Sequence, residues 1–569
     1  MVRFVFQSIM LFLSLYSFQK VFSLHPMSIL SVGLVVACIL LYKKAAQASK
    51  RTRVAGIVCG TLYALFSSFS RYSDFKYSSF SASVFYMILF ASGLVYIFSI
   101  LMICLYDSFD SFSAPTSSRI HDRNKVFFCS FAAILLIWIF FFLAYYPGLY
   151  TNDSFWQLQQ ALGDSALSNH HPIVHTLLMR GILNLGMILF HGNLTTSTAL
   201  LSAIQMTFLA ACMAYSINTI YSISFSLPFC AIATLFYAAV PFNILFSFTH
   251  LKDSWFAGFF LLFCSHILIL LFRREDLVPS QTDLFLFCIS CLGVGLFRSN
   301  GFYVLIVMAP FLLFCFRNEK RLFISFLVCL VICFLVLGPL FNLIGIVPVD
   351  PVEFLSVPLQ QVSRVVVDGG KISEQDYELI RKVIEPSLIP SSYYSRISDN
   401  IKNLIRTSGN QNELKEHTSE YLLLWLRLLR DNPTSYVSAY VELTGGFWYP
   451  EMTGIPYVIY MESNPYKLSV GSLLPAAATD LAYRWTHSNN QQSFLGPVFS
   501  CGGYVWIMLA LLIYSFTKKN NMYISVLPSV LLWGTLLLTT PVYCDLRYIY
   551  AIIVALPLLF TSLWKKTNT

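Results

Sequence analysis

Apolar runs of about 17 to 25 residues recur along most of this chain, and each is long enough to cross a hydrocarbon layer of about 30 Å as an α-helix. The runs are continuous and lack the alternation of apolar and polar residues that is typical of membrane β-barrel strands. Only 11% of the 569 residues are charged, whereas soluble domains have roughly a quarter. The sequence therefore predicts an all-α polytopic protein with the lipid bilayer as its solvent.

Short basic clusters between the apolar runs predict the topology, because such clusters stay on the cytoplasmic side of a membrane. Placing all of them inside gives about fourteen spans of ordinary length, with both ends of the chain cytoplasmic. The net charge of +9 then reflects orientation, and no nucleic-acid partner is expected. The clusters are Lys43, Lys44, Lys50, Arg51 and Arg53; Arg119, Arg123 and Lys125; Arg273 and Arg274; Arg317, Lys320 and Arg321; Lys518 and Lys519; and Lys565 and Lys566.

Two segments are not expected to cross the membrane. The apolar stretch 173–190 would invert all later loops if it spanned, so we expect a helix lying in the outer interface. Between residues 347 and 495 charged residues, Asn, Ser and Pro return, and apolar residues at helical spacing predict a small, mostly helical external domain. The predicted parts are an N-terminal transmembrane bundle (1–126), a transmembrane core (127–346) with its first outer loop at 147–195, the external domain (347–495) and C-terminal transmembrane helices (496–569).

Polar residues predicted to face outside lie in a few short segments, and charges that are costly in lipid normally have a partner or a task. Acids and cations facing one cavity would suit group transfer from a phosphate leaving group. An acid would deprotonate the attacking hydroxyl or hold a divalent ion, and arginines would neutralise the departing phosphate. The candidate catalytic acids are Asp153 and Asp253, and the candidate substrate-binding residues are His170, His171, His175, Arg298, Asn300, Gln361, Arg364, Arg547 and Tyr548.

Structural explanations remain open for these residues. Asp153 could cap the helix that follows it, Asp253 could pair with Lys252 or favour a helix start, and the arginines could reach the interface from helix ends. His171 and His175 are one helical turn apart and could share a metal ion, although such pairs also occur by chance. The chain has no P-loop, dinucleotide fingerprint or HExxH motif, which argues against a nucleotide-driven pump or an intramembrane zinc protease.

The order of these segments resembles the GT-C superfamily of polytopic membrane glycosyltransferases. An acid follows an outward-facing span, His-Pro introduces an interfacial helix, a second acid lies in the next outer loop and an Arg-Tyr pair comes late. From about residue 127 onward the chain looks like a bacterial membrane-protein family of uncharacterised function assigned to that superfamily. The motifs are Tyr146-Pro-Gly, Asp153-Ser, Gln157, His171-Pro, His175-Thr, Arg298-Ser-Asn300-Gly301, Pro358-Leu-Gln-Gln361 and Trp448-Tyr-Pro450. The acid pair of many GT-C enzymes is absent, because Asp153 and Asp253 each stand alone.

The resemblance implies a multi-pass glycosyltransferase of the cell membrane with its active site on the outer face. It would move a sugar from a polyprenyl-phosphate-linked donor to a cell-envelope glycan, lipid or protein. Asp153 would be the general base or electrostatic anchor, Asp253 and the histidines would shape the acceptor site or a site for a divalent metal, and the arginines would hold the phosphate. The alternatives are a glycan polymerase or ligase, and a flippase or transporter of a lipid-linked glycan. A transporter would be expected to show repeated halves, which we do not find.

Overall fold

The computed structural model describes residues 2–22, 29–75, 80–110, 123–272, 280–315, 319–449, 464–487, 496–517 and 521–564. Within these ranges the chain is helical with short loops, and β pairing is limited to isolated bridges. The all-α prediction is therefore confirmed. Some residues that the sequence analysis used lie outside the described ranges: Arg119, Arg273, Arg274, Arg317, Pro450, Lys518, Lys519, Lys565 and Lys566.

The first four helices are α1 (Val2–Phe22), α2 (Ile29–Gln47), α3 (Lys50–Ser70) and α4 (Phe80–Phe109), and α4 packs against the other three. Gly56 and Gly60 lie one turn apart on α3, and a Cβ atom at either position would overlap Ile103 or Ser99 of α4. Small residues of this kind let membrane helices approach closely. This packing explains why the N-terminal helices form one bundle.

The transmembrane core follows from residue 123. The chain between α9 and α10 bends by 62°, and α14 continues through a π-helical segment, Val336–Leu340, into α15. The helices are α5 (Arg123–Ala144), α6 (Asn152–Leu162), α7 (Ile173–Leu189), α8 (Leu194–Ser224), α9 (Leu227–Ala239), α10 (Pro241–Ser247), α11 (Lys252–Phe272), α12 (Gln281–Phe297), α13 (Ser299–Cys315), α14 (Lys320–Leu335) and α15 (Phe341–Leu343).

The segment predicted to be an external domain, called the polar domain below, consists of shorter helices. It has its own hydrophobic core, in which Val365, Ile380, Ile401 and Leu428 are buried. The helices are α16 (Ser356–Val367), α17 (Glu374–Val383), α18 (Ile389–Ser392), α19 (Asp399–Ser408), α20 (Gln411–Glu416), α21 (Thr418–Asp431), α22 (Pro433–Thr444) and α23 (Ala476–Thr486). The last of these, α23, packs against α5 and α10 of the transmembrane core.

The chain ends with α24 (Cys501–Ser515), α25 (Tyr523–Thr539) and α26 (Leu546–Leu559). Of the residues in α26, all except Tyr548 are buried, and this helix packs against α8, α11, α24 and α25. A helix that is apolar all round belongs in a protein core. The first turn of this central helix carries Arg547, so the arginine lies inside the molecule.

Seven of the described helices are long and apolar enough to cross a bilayer, or eight if the bent pair α9 and α10 forms one span. The protein is therefore a multi-pass α-helical membrane protein. The count of fourteen spans stays a prediction, because α12, α13 and α25 each have 17 residues, the lower end of the length that a crossing requires. α7, also 17 residues long, is the helix that we expected in the interface.

Candidate functional site

Two paired loops bring the start of α6 next to the start of α11. The amide of Leu149 donates to the carbonyl of Phe248 at 3.0 Å, and the amide of His250 donates to the carbonyl of Leu149 at 2.9 Å. Gly148 has φ +121°, and a Cβ atom there would overlap the hydroxyl of Ser202, so this turn requires glycine. The pairing places Asp153 and Lys252, which begin the two helices, in one region.

Asp153 does not cap α6. The N-cap is Thr151, whose hydroxyl accepts the amide of Ser154 at 3.2 Å, and Ser154 in return accepts the amide of Thr151 at 2.6 Å. This reciprocal arrangement is a capping box. Asp153 therefore lies in the first turn with its carboxylate available for other contacts, and the helix dipole favours a negative charge there.

The carboxylate of Asp153 pairs with an arginine that lies 394 residues further along the chain. Arg547 places its guanidinium 3.1 Å from Asp153 and 2.9 Å from Asp545. Burial on its own would raise the pKa of the Asp153 carboxyl, but the positive charges of Lys252 and Arg547 outweigh burial and hold this pKa well below its usual range. Asp153 is thus a carboxylate at neutral pH.

Asp253 and Arg298 form a second buried pair. Their charged atoms are 2.8 Å apart, and the exposed fractions of the two side chains are 4% and 9%. The ring of Tyr548 lies beside both arginines, because the guanidinium carbons of Arg298 and Arg547 are each 5.4 Å from its centroid. Such contacts are attractive cation–π interactions. One continuous set of contacts therefore joins Asp153, Arg547, Tyr548, Arg298 and Asp253, and these five residues with Lys252, His171 and Asp545 are called the charged cluster below.

The partner of Lys252 is a histidine. Its ammonium donates to Nδ1 of His171 at 3.0 Å, and since an ammonium only donates, His171 must be neutral at Nδ1. Burial, followed by the charge of Lys252, lowers the pKa of His171 well below its usual value. Within the described residues Lys252 makes no ion pair, and Asp253 pairs with Arg298 rather than with its neighbour in the sequence. Lys252 is thus the cation of the charged cluster that has no carboxylate partner.

The Nδ1 atoms of the two candidate metal-binding histidines are engaged within the protein. Nδ1 of His171 accepts a hydrogen bond from the ammonium of Lys252. Nδ1 of His175 donates to the amide oxygen of Gln157 at 3.0 Å, and the amide nitrogen of Gln157 donates to the hydroxyl of Thr176 at 2.9 Å. Within the described ranges no group of three or more His, Cys, Asp or Glu residues could hold a metal ion. We therefore derive no chemical step through a divalent ion.

The remaining predicted site residues have their contacts elsewhere. Asn300 donates to the hydroxyl of Thr535 at 2.9 Å. Arg364 pairs with Asp368 and Glu442, both in the polar domain, at 2.8 and 3.0 Å. Gln361 accepts the indole N–H of Trp425 at 2.9 Å. None of these contacts includes a residue of the charged cluster.

Lys252 and Asp545 were missed as site residues by the sequence analysis. Both could have been recognised from the sequence, since each lies within two residues of a predicted site residue. One alternative left open by the sequence was an ion pair of Lys252 with its neighbour Asp253, which would neutralise the lysine. The loop that carries Asp545 forms two backbone hydrogen bonds with the polar domain. The amide of Tyr543 donates to the carbonyl of Arg396, and the amide of Ser398 donates to the carbonyl of Pro541.

The charged cluster continues into the polar domain through His170. Its ring lies 4.7 Å from that of His171, and Nδ1 is 3.9 Å from the carboxylate of Glu353. Glu353 also contacts Arg406 and the buried ammonium of Lys402, the latter at 3.0 Å. Burial would raise the pKa of Glu353, but Lys402, His170 and Arg406 outweigh burial and lower this pKa. The polar domain is thereby joined to the charged cluster through the imidazole rings of His170 and His171.

A pH dependence follows from the lowered pKa of Glu353. A carboxyl with a lowered pKa in the folded protein stabilises the fold above its ordinary pKa of about 4.3, and this stabilisation is lost as the pH falls toward the folded value. We expect the wild-type melting temperature to fall more steeply than that of Glu353→Gln as the pH drops from 5 to about 3. The control is Glu378→Gln, whose side chain is 52% exposed. Equal slopes in the wild type and Glu353→Gln would contradict this assignment.

Comparisons with known proteins add a family match. A family model matches residues 160–569, which is most of the chain. No curated protein and no solved structure matches. Most of the charged cluster lies inside the matched range, whereas Asp153 lies seven residues before its start.

Proposed function

The chain belongs to DUF6020, a family of unknown function, and we propose that it is a membrane glycosyltransferase. It takes a sugar from a polyprenyl-phosphate-linked donor and transfers it to a hydroxyl group of a cell-envelope acceptor. The charged cluster is the active site, at the outer face of the cell membrane. The donor is activated before it reaches the cluster, so the protein needs no nucleotide site.

The observation that carries this proposal is the convergence of Lys252, Arg298 and Arg547 at the ends of three separate helical segments. Donors fixed where negative charge develops are the usual means of stabilising a transition state. Asp253 and Asp545 hold the two arginines in place at 2.8 and 2.9 Å. Lys252 donates to a neutral histidine and, within the described residues, makes no ion pair. A phosphate therefore finds two oriented guanidinium groups and an ammonium that no carboxylate contacts directly.

The reaction needs one bond to form and one to break. The acceptor oxygen attacks the anomeric carbon, the bond from this carbon to the phosphate oxygen breaks, and polyprenyl phosphate leaves with the bonding electrons. The acceptor proton passes to Asp153. Because the pKa of Asp153 is held low, this carboxylate is a weak base in the resting site, so the proton moves late, after attack has made the hydroxyl acidic. Until then Asp153 orients the hydroxyl as an electrostatic anchor.

The test is transfer of labelled sugar by the purified full-length protein, with a panel of polyprenyl-phosphate donors and cell-envelope acceptors. We expect Lys252→Gln to reduce transfer by about 10²- to 10³-fold, the loss typical of one oriented charge-stabilising donor. The matched control is Lys415→Gln, because Lys415 is exposed on α20 of the polar domain. Both variants are compared at equal amounts of monodisperse protein with equal melting temperatures.

Two outcomes would overturn the proposal. An unchanged transfer rate in Lys252→Gln would show that this lysine does not stabilise the leaving phosphate, and would exclude the proposed phosphate site. The absence of transfer from every donor, together with movement of a lipid-linked glycan between leaflets in proteoliposomes, would identify a flippase instead.

A further inference from the structure

A cavity of about 370 Å³ extends from the hydrophobic core of the polar domain to its surface. Branched aliphatic side chains of α16, α17 and α19 form much of its wall, among them Leu359, Val362, Ile380, Ile401 and Ile405. Protein interiors pack about as densely as organic crystals and rarely leave voids larger than a water molecule. A space of this size in the hydrophobic core of a small domain therefore indicates a site for a ligand.

The wall contains four polar side chains, of which Tyr421, Thr418 and Trp425 are engaged within the protein, and the fourth is the hydroxyl of Ser363. The hydroxyl of Tyr421 donates to the carbonyl of Leu379 at 3.0 Å, the hydroxyl of Thr418 donates to that of Leu414 at 2.9 Å, and the indole N–H of Trp425 donates to Gln361 at 2.9 Å. A buried water needs two to four polar partners, which this wall does not offer. The occupant that fits is a hydrocarbon.

The bilayer is the nearby source of hydrocarbon. On the other side of the Trp425–Gln361 hydrogen bond is a second pocket, of about 350 Å³, to which Gln361 contributes. This second pocket is also lined by Phe66 and Phe69, from the last turns of the membrane-spanning helix α3, and by Trp533 of α25. The indole of Trp425 thus separates the cavity from a pocket at the end of a membrane span.

The exposed face of α21 supports contact with lipid. Leu422 lines the cavity and is 56% exposed, and Leu423 and Leu426 beside it are 55% and 46% exposed. Arg430 follows Leu426 after one helical turn and is also exposed. A helix with an apolar face and a basic residue at its border suits the boundary between lipid and water. The apolar surface therefore runs from the wall of the cavity to the outside of the domain.

We infer that this cavity binds one acyl chain of a membrane lipid. Of the hydrocarbons in the adjacent bilayer, acyl chains are the most abundant, and abundance sets occupancy when the lining selects only for apolar character. The cavity residues belong to the hydrophobic core of the polar domain and not to the charged cluster. The inference is therefore independent of the proposed transferase activity.

The test is photo-crosslinking of the full-length protein in detergent with palmitate that carries a diazirine in its chain. We expect labelled peptides from α16, α17 and α19, and unlabelled palmitate should compete for them. Val362→Phe places a larger side chain in the cavity and should lower this labelling by about tenfold, because the added ring takes up space that the hydrocarbon chain would occupy. Val367→Phe is the matched control, because Val367 lies on the same helix, is 39% exposed and does not line the cavity.

The inference is overturned if the label appears only in transmembrane helices, if Val362→Phe and Val367→Phe are labelled equally, or if a diazirine-bearing polyprenyl phosphate labels the cavity in preference to palmitate. Ile405→Phe, from another helix of the cavity wall, replaces Val362→Phe if that variant melts at a lower temperature than the control. Competition by unlabelled palmitate in the wild type tests the site without any substitution.

Discussion

The variant Asp153→Asn should transfer sugar about 10²- to 10⁴-fold more slowly than the wild type, the range lost when a general acid–base group is removed. Asparagine has the same shape but cannot take up the acceptor proton. It also cannot balance the charge of Arg547, which would retain Asp545 as its partner at 2.9 Å. The measurement is the initial rate of labelled-sugar transfer at saturating donor, with folding matched by gel filtration and melting temperature.

The control for this experiment is Asp480→Asn. Asp480 is an exposed carboxylate on α23 whose partner Arg484 lies 2.9 Å away on the same helix. Its replacement should leave the rate unchanged. Full activity in Asp153→Asn would refute a catalytic role for this acid. Asp153→Glu separates the two roles, because a displaced carboxylate still accepts a proton but no longer anchors the hydroxyl in the same place.

The variant Arg298→Met should lower the free energy of unfolding by about 3–5 kcal/mol, since removal of one partner leaves the other charge buried and unpaired. Asp253 would be that charge, as its side chain is 4% exposed. The double variant Asp253→Asn with Arg298→Met should recover much of this loss, because no unpaired charge remains. Denaturant unfolding in detergent measures both differences, and together with the single variant Asp253→Asn it gives the coupling energy between the two side chains.

The surface pair Arg381 and Glu378 is the control for this cycle. Their charged atoms are 3.0 Å apart, but the two side chains are 55% and 52% exposed. Arg381→Met should therefore cost no more than about 1 kcal/mol. If Arg298→Met costs as little as Arg381→Met, the pair of Arg298 with Asp253 is not an isolated buried pair and the charged cluster is open to water.

Together these variants distinguish stability from chemistry within one cluster. Arg298 and Asp253 hold each other in place, whereas Lys252 makes no ion pair with any residue that the structure describes. Asp153 is more exposed, at 34% of its side chain. Substitution of Arg298 or Asp253 should therefore change the free energy of unfolding most, and substitution of Lys252 or Asp153 should change the transfer rate most.

Composition and the pattern of apolar runs are enough to predict a helical membrane protein, and short polar segments between the runs contain most of the charged residues of the cluster. In lipid every backbone N–H and C=O group must be satisfied within its own segment, so apolar composition and helical structure are both local properties. The ion pairs within the cluster are seen only in the tertiary structure. Asp153 contacts Arg547 across 394 residues, and Asp253 contacts Arg298 instead of its neighbour Lys252. These partners depend on how separate helices and loops pack, which no local pattern of residues encodes. Only the folded chain therefore shows which cation is available to a substrate.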